Sequence, residues 1–72
     1  MKNYKTVIAS DVSERDGIGI EIYDEDELIL EIFRDDTKKE REVTLYQKDL
    51  SLEVVEWSIQ EFKKQIDWNY LD

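Results

Sequence analysis

Three segments of this chain alternate apolar and polar residues, and this alternation limits the fold more than any other feature. Isoleucine falls at every second position of residues 17–23, and residues 27–33 and 41–46 show the same period. Period-two alternation of β-branched and aromatic residues is typical of strands with one buried face. Residues 4–10 indicate a further strand, although its adjacent Val7 and Ile8 leave the inward face undecided. We therefore predict four strands.

Loop lengths suggest how these strands pair. Placing Ile22 opposite Leu28 leaves a three-residue loop at 24–26, and placing Ile32 opposite Val43 leaves a four-residue loop at 36–39. Both lengths are common in hairpins, and both pairings keep apolar side chains on one face. The chain is predicted to form an antiparallel meander in sequence order, with residues 11–16 as a polar connector before the second strand.

A helix is predicted after the last strand. Ser51 is the expected N-cap, with Asp49 as its competitor, and the helix should span about residues 51–66. Apolar residues spaced three and four apart give it one narrow stripe: Leu52, Val55, Ile59, Phe62 and Ile66. Because stripe and sheet each have one apolar face, the helix should pack on the sheet. The prediction is one α+β domain over residues 1–72, with a tail at 67–72 that docks on it.

The residues and motifs that the chain lacks argue against several classes of function. The 72 residues include no cysteine and no histidine, so disulfides, the usual zinc ligands and most nucleophilic or general-base arrangements are missing. No glycine-rich phosphate-binding motif occurs, and so short a chain cannot build a deep sugar cleft. We expect no enzymatic activity and no cofactor.

The distribution of apolar residues also bears on location. No apolar run approaches the ~18 residues that a membrane span requires. The first ten residues contain only a three-residue apolar run, whereas a signal peptide needs about 7–15 apolar residues. A cytoplasmic protein without a membrane partner is the expectation.

The acidic charge is concentrated in one third of the sequence. The net charge is −9, and residues 11–36 alone hold eleven acidic residues against two arginines. Binding to nucleic acid is not expected, because neutralising phosphates requires clustered lysine and arginine. The predicted hairpin with its loop at residues 24–26 carries a candidate acidic surface at its turn: Asp24, Glu25, Asp26 and Glu27. These carboxylates could hold a hard cation, but a solvated acidic turn is the favoured interpretation, so no metal site is predicted.

Two further surfaces are candidates for a partner. The outer face of the sheet should carry Tyr23, Ile29, Phe33 and Tyr46, either as ordinary cross-strand pairs or as a contact patch. Trp57 should point away from the apolar stripe of the helix with Val54 beside it, either covered by the tail or a loop or forming an interface.

Two functional hypotheses follow from these surfaces. The first is a non-enzymatic interaction module, inhibitor-like or immunity-like, that masks a basic protein surface. The second is a homodimeric structural or accessory protein, favoured by the small core that so short a chain can bury. A net charge of −9 per chain opposes self-association.

Overall fold

Each alternating segment forms a strand, and the helical stripe forms a helix. The computed structural model describes residues 3–11 and 16–71, so most of the predicted connector lies outside the described residues. The elements are β1 (Tyr4–Asp11), β2 (Gly17–Asp24), β3 (Glu27–Asp35), β4 (Glu40–Leu45) and α1 (Leu52–Gln65). The strands form one antiparallel sheet in the order β1-β2-β3-β4, with α1 packed on one face. The predicted α+β meander with a C-terminal helix is confirmed.

The hairpin of β3 and β4 has the predicted register. Ile32 lies opposite Val43 and Leu30 lies opposite Leu45, so that residues 36–39 make the turn. Lys39, the last residue of this turn, has a positive φ of 58°. Loop length and apolar facing together were sufficient to place these two strands.

The hairpin of β2 and β3 corrects the predicted register. Ile22 lies opposite Leu30 rather than Leu28, and the turn has two residues, Glu25 and Asp26. Glu25 has a positive φ of 57°. Two-residue turns match the twist of the flanking strands best, and a register shift just beyond Ile22 takes up the extra residue of β3. The predicted three-residue loop was therefore wrong. The sequence did not reveal the bulge, because a bulge of this kind has no clear hydropathy signal.

The core lies between α1 and the two central strands. Its buried members are Ile20, Ile22, Ile29, Leu30, Ile32, Val54, Phe62 and Ile66. The hydroxyl of Ser51 accepts a hydrogen bond from the Val54 N–H at 3.2 Å, so the predicted N-cap is confirmed. Within the described part of the chain, no helix has the length and apolar character needed to cross a membrane.

The helix is rotated about its axis relative to the prediction. Its buried residues are Val54, Ser58 and Phe62, whereas Leu52 is 65% and Ile59 37% exposed. The placement of Val54 on the back of the helix was therefore wrong. The Ser58 hydroxyl donates to the Val54 carbonyl at 2.7 Å, so a serine can be buried without an unsatisfied donor. Because hydropathy treats serine as polar, it selected the neighbouring stripe instead.

The rotation leaves β4 largely uncovered. Val43 is 54% and Leu45 55% exposed, although the alternation of residues 41–46 predicts that both face the core. The helix packs most closely on β2 and β3, the two central strands. One flank of the helix and the neighbouring strand therefore keep apolar surface in contact with solvent.

The opposite face of the sheet buries a phenylalanine without help from the helix. Phe33 lies opposite Gly19 on β2 and is 1% exposed. A Cβ atom built on Gly19 or Gly17 would clash first with the β3 backbone, at the Ile32 and Arg34 carbonyls respectively, and would also lie 2.9 Å or 3.2 Å from the Phe33 ring. The two glycines thus make room for the ring to lie across β2. The predicted exposure of Phe33 is wrong, and so is that of Ile29, which is 2% exposed and belongs to the core.

Candidate functional site

An apolar groove runs between α1 and β4, where the helix leaves the sheet uncovered. Its volume is about 190 Å³. The residues lining it are Ile32, Arg41, Val43, Ile59, Phe62 and Trp68. Two of these, Ile32 and Phe62, are buried core residues that form its floor. The groove is therefore an opening onto the core itself.

Further exposed apolar residues extend this groove. Leu45 follows Val43 by two positions on β4, so the two share a sheet face. Leu52 precedes Ile59 by seven positions, two helical turns, and so shares its flank of α1. We call Val43, Leu45, Leu52, Ile59 and Trp68 the apolar strip; each is at least 37% exposed. Adjoining exposed apolar residues on a small protein mark surfaces that contact other molecules.

The backbone of β4 adds a second feature to the same place. β4 is an edge strand, and none of the other described strands pairs with its outer side. The Tyr46 N–H donates to the Ile29 carbonyl at 2.9 Å. Since hydrogen-bonded and non-bonded pairs alternate along an antiparallel ladder, the N–H and C=O groups of Arg41, Val43 and Leu45 point outward. Arg41 and Val43, which line the groove, therefore also carry backbone groups that no described strand pairs with.

The C-terminal tail closes one end of the groove. The Arg41 guanidinium lies 3.7 Å from the centre of the Trp68 ring and 4.3 Å from that of Tyr70. It also donates to the Trp68 carbonyl at 2.6 Å, and the Lys39 ammonium donates to the Leu71 carbonyl at 3.1 Å. The tail thus docks on the β3–β4 hairpin. The aromatic rings of the tail provide the faces on which the cations of this hairpin stack.

This docking gives a spectroscopic prediction. Arg41→Ala removes the stacking and hydrogen bonds that hold Trp68, so the tail should detach and Trp68 fluorescence should shift to longer wavelength. Because the contact is at the surface, the free energy of unfolding should fall by only about 1–2 kcal/mol. The measurement uses a Trp57→Phe background, in which Trp68 is the only tryptophan. An unchanged emission maximum would show that Arg41 does not hold the tail.

A buried ion pair anchors the start of the tail. The Arg34 Nε donates to Asp36 Oδ1 at 2.8 Å, and Nη2 donates to Oδ2 at 3.2 Å. The Arg34 Nη1 reaches the Asp67 carbonyl at 2.6 Å, and the Leu71 N–H donates to Asp36 at 3.1 Å. Burial of the Asp36 carboxyl by itself raises its pKa, but the hydrogen bonds from Arg34 and Leu71 outweigh burial and lower the pKa below 3.8.

The lowered pKa of Asp36 predicts how stability depends on pH. A carboxyl whose pKa is lower in the folded state stabilises the fold at neutral pH, and this contribution is lost as the pH falls through the folded-state value, below 3.8. Asp36→Asn should therefore be less stable at neutral pH and lose less stability on acidification. Urea unfolding of both proteins, measured from neutral pH to below pH 3.8, tests the prediction. If the free energies of unfolding of the two proteins changed in parallel with pH, the prediction would be contradicted.

Trp57 does not form an exposed patch with Val54. Its ring lies 5.7 Å from the ring of Tyr4 on β1, and it packs against the core as a half-buried residue. The first strand, rather than the tail, covers it. Because Val54 is buried in the core, only Trp57 of the predicted pair is accessible at the surface of the chain.

The predicted outer-face patch is also dispersed. Tyr46 is 52% exposed, whereas Tyr23 is half-buried. The Tyr23 hydroxyl donates to Glu21 at 3.1 Å, and this hydrogen bond raises the pKa of Tyr23. With Ile29 and Phe33 buried, the structure does not gather the four residues into one contact surface.

The acidic turn lies at the end of the β2–β3 hairpin. Glu25, Asp26 and Glu27 are exposed, and Asp24 is half-buried. The Lys5 ammonium lies 3.4 Å from Asp26, with the side chain of Asp26 almost fully in solvent. Among residues 3–11 and 16–71, no three acidic side chains converge as a ligand set for a metal ion. The turn presents negative charge to solvent.

Comparison of the chain with models of known protein families, with curated proteins and with solved structures found no match.

Proposed function

We propose that this protein is a non-enzymatic interaction module that binds a basic protein partner at the groove beside β4. The observation that carries this proposal is the apolar strip, whose members are exposed although the sequence pattern assigns most of them to a core. Covering apolar surface yields about 25 cal/mol for each Å² removed from water. A partner that covers the strip would gain this free energy without unfolding any part of the chain.

The charge supports a basic partner. The chain carries a net charge of −9, and the exposed acidic residues include Glu40 on β4 as well as Glu53 and Glu56 on α1. A negative field of this kind accelerates association with a positively charged surface and disfavours nucleic acid. An inhibitor-like or immunity-like protein that masks a basic surface fits this combination.

The composition of the groove supports a role in binding rather than catalysis. Of the described residues that line the groove, Arg41 alone is charged, and its guanidinium is held by the tail. The chain has no histidine or cysteine to act as a base or nucleophile. The same proposal includes a location in the cytoplasm. Disulfides are rare there, and the absence of cysteine fits that location.

A homodimer is the second candidate, and the free edge of β4 favours it. Two β4 strands paired antiparallel about Val43 would place Glu42 opposite Thr44 and Glu40 opposite Tyr46. No like charges would face each other across the strands. The repulsion between two chains of charge −9 opposes this arrangement.

The test is capture of a partner from an extract of the organism that makes the protein, followed by measurement of its affinity. We expect a basic protein whose affinity falls at least tenfold from low to high ionic strength. The double variant Glu25→Gln, Asp26→Asn should slow association while the dissociation rate changes little. An affinity that does not change with ionic strength would contradict the proposal. So would binding of the protein to DNA or RNA, seen as a mobility shift at physiological salt.

A further inference from the structure

We propose that the partner contributes an extended segment that alternates apolar and basic residues and adds to the sheet as a fifth strand at the free edge of β4. This inference rests on the proposed function and names how the partner is recognised. It depends on three properties of β4: its outward backbone groups, the apolar strip on its helix side, and the acidic side chains on its other side.

The backbone groups provide the first contact. The N–H and C=O groups of Val43 and Leu45 point away from β3, as the Tyr46–Ile29 hydrogen bond fixes the alternation. Addition of a strand at such an edge gives affinity through main-chain hydrogen bonds and specificity through alternate side chains. A helix laid in the groove would not bond to these backbone groups, which would stay hydrated.

The helix side of β4 selects apolar residues. A new strand would lie about 4.8 Å from β4, with every second side chain beside Val43 or Leu45. These side chains would extend beneath Ile59 and Leu52, on the partly exposed flank of α1. Apolar residues at these positions would cover the apolar strip.

The other side of β4 selects basic residues. Glu40 and Glu42 alternate with Arg41 and Val43 and so share the face opposite the helix. One carboxylate oxygen of Glu42, Oε1, is buried and has no hydrogen-bond partner in the described part of the chain. A buried acceptor without a donor is unfavourable. A lysine or arginine on the added strand, opposite Glu42, would supply both the donor and the opposite charge.

The acidic side chains of β4 favour a basic strand there over two alternatives, a second copy of this chain at β4 and a strand added to β1. A second copy of β4 would bring Thr44 rather than a cation opposite Glu42 and would double the net negative charge. At the other edge of the sheet, β1 presents Lys5, Val7 and Ile8. Residues Tyr4–Ser10 contribute a lysine and no acidic side chain, and the nearby carboxylate of Asp26 already pairs with Lys5, so β4 is the more selective site.

Amide hydrogen exchange on the ¹⁵N-labelled protein tests the inference. The probe is a capped seven-residue peptide that alternates lysine and valine, compared with a peptide of the same composition whose valines follow helical spacing. We expect saturating alternating peptide to slow exchange at the Val43 and Leu45 amides at least tenfold and to leave Val7 and Ile8 unchanged. Glu42→Gln should weaken the alternating peptide at least threefold, whereas Glu53→Gln on the exposed helix surface should not.

Other outcomes would overturn the inference in distinguishable ways. Binding of either peptide without protection of Val43 and Leu45 would exclude strand addition but leave a basic partner in place. Failure of both cationic peptides to bind would count against the proposed function as well. Protection of these amides that grows with protein concentration in the absence of peptide would identify a second copy as the occupant.

Discussion

Arg34→Ala is expected to lower the free energy of unfolding by about 3–5 kcal/mol, because it removes one member of a buried ion pair. The side chains of Arg34 and Asp36 are 3% and 9% exposed. Without the guanidinium, the Asp36 carboxylate would stay buried with the Leu71 N–H as its one remaining donor among the described residues, and the Asp67 carbonyl would lose the Arg34 donor. Urea unfolding measured by circular dichroism gives the free energy.

Arg41→Ala is the matched control, since Arg41 lies directly opposite Arg34 on β4. Its hydrogen bonds to the tail are at the exposed surface, so its loss should cost only about 1–2 kcal/mol. Replacing both Arg34 and Asp36 by apolar residues of similar size should recover part of the loss, because no buried charge is then left alone. If both substitutions lowered the free energy of unfolding equally, the buried ion pair would contribute no more to stability than the surface contacts of Arg41.

Phe33→Ala is expected to destabilise the protein by about 3–5 kcal/mol, even though the ring lies on the sheet face that the helix does not cover. Phe33 is 1% exposed and packs over Gly17 and Gly19. Because both glycines lack side chains, truncation would leave a cavity that β2 cannot fill. Thermal and urea unfolding of the variant measure the loss.

Tyr46→Ala serves as the comparison for Phe33. Both residues were predicted to share the outer sheet face, yet Tyr46 is 52% exposed. Substitutions at such surface positions usually change stability by about 0.5 kcal/mol or less. If Phe33→Ala cost as little as Tyr46→Ala, the ring would not be buried in solution, and the helix-free face would again be a candidate contact patch.

Local sequence patterns predicted the elements of this fold well. The alternation of Ile18, Ile20 and Ile22 identified β2, and the agreement of loop length with apolar facing placed Val43 opposite Ile32. Ser51 was identified as the N-cap because its hydroxyl type and its position before the stripe both suit that role. Each of these features depends on residues close together in the chain.

The rotation of the helix was not predictable from hydropathy. Ser58 is fully buried because its hydroxyl bonds within the helix, and a polar residue at the centre of a core stripe gives no apolar signal. The choice between adjacent stripes depends on how the whole helix meets β2 and β3. Patterning states which residues are apolar but not which of two apolar flanks the sheet covers.

The groove was missed for the same reason. Val43, Leu45, Leu52 and Ile59 have the spacing of core residues, and only the rotation of α1 reveals that they are exposed. The contact of Trp68 with Arg41 joins residues 27 positions apart, and pairing at this separation leaves no local pattern. The acidic turn, by contrast, was visible in the sequence because its residues are consecutive.

The central claim is that the partner binds at the groove beside β4, and a matched pair of valine substitutions tests it most directly. Val43 and Val7 are 54% and 46% exposed and lie on the two edge strands of one sheet. Replacing either by asparagine leaves the net charge unchanged. We predict that Val43→Asn weakens binding of the captured partner at least tenfold, while Val7→Asn changes it less than twofold and both variants keep the wild-type circular dichroism spectrum. Equal affinities for the two variants, or a larger loss for Val7→Asn, would contradict the claim.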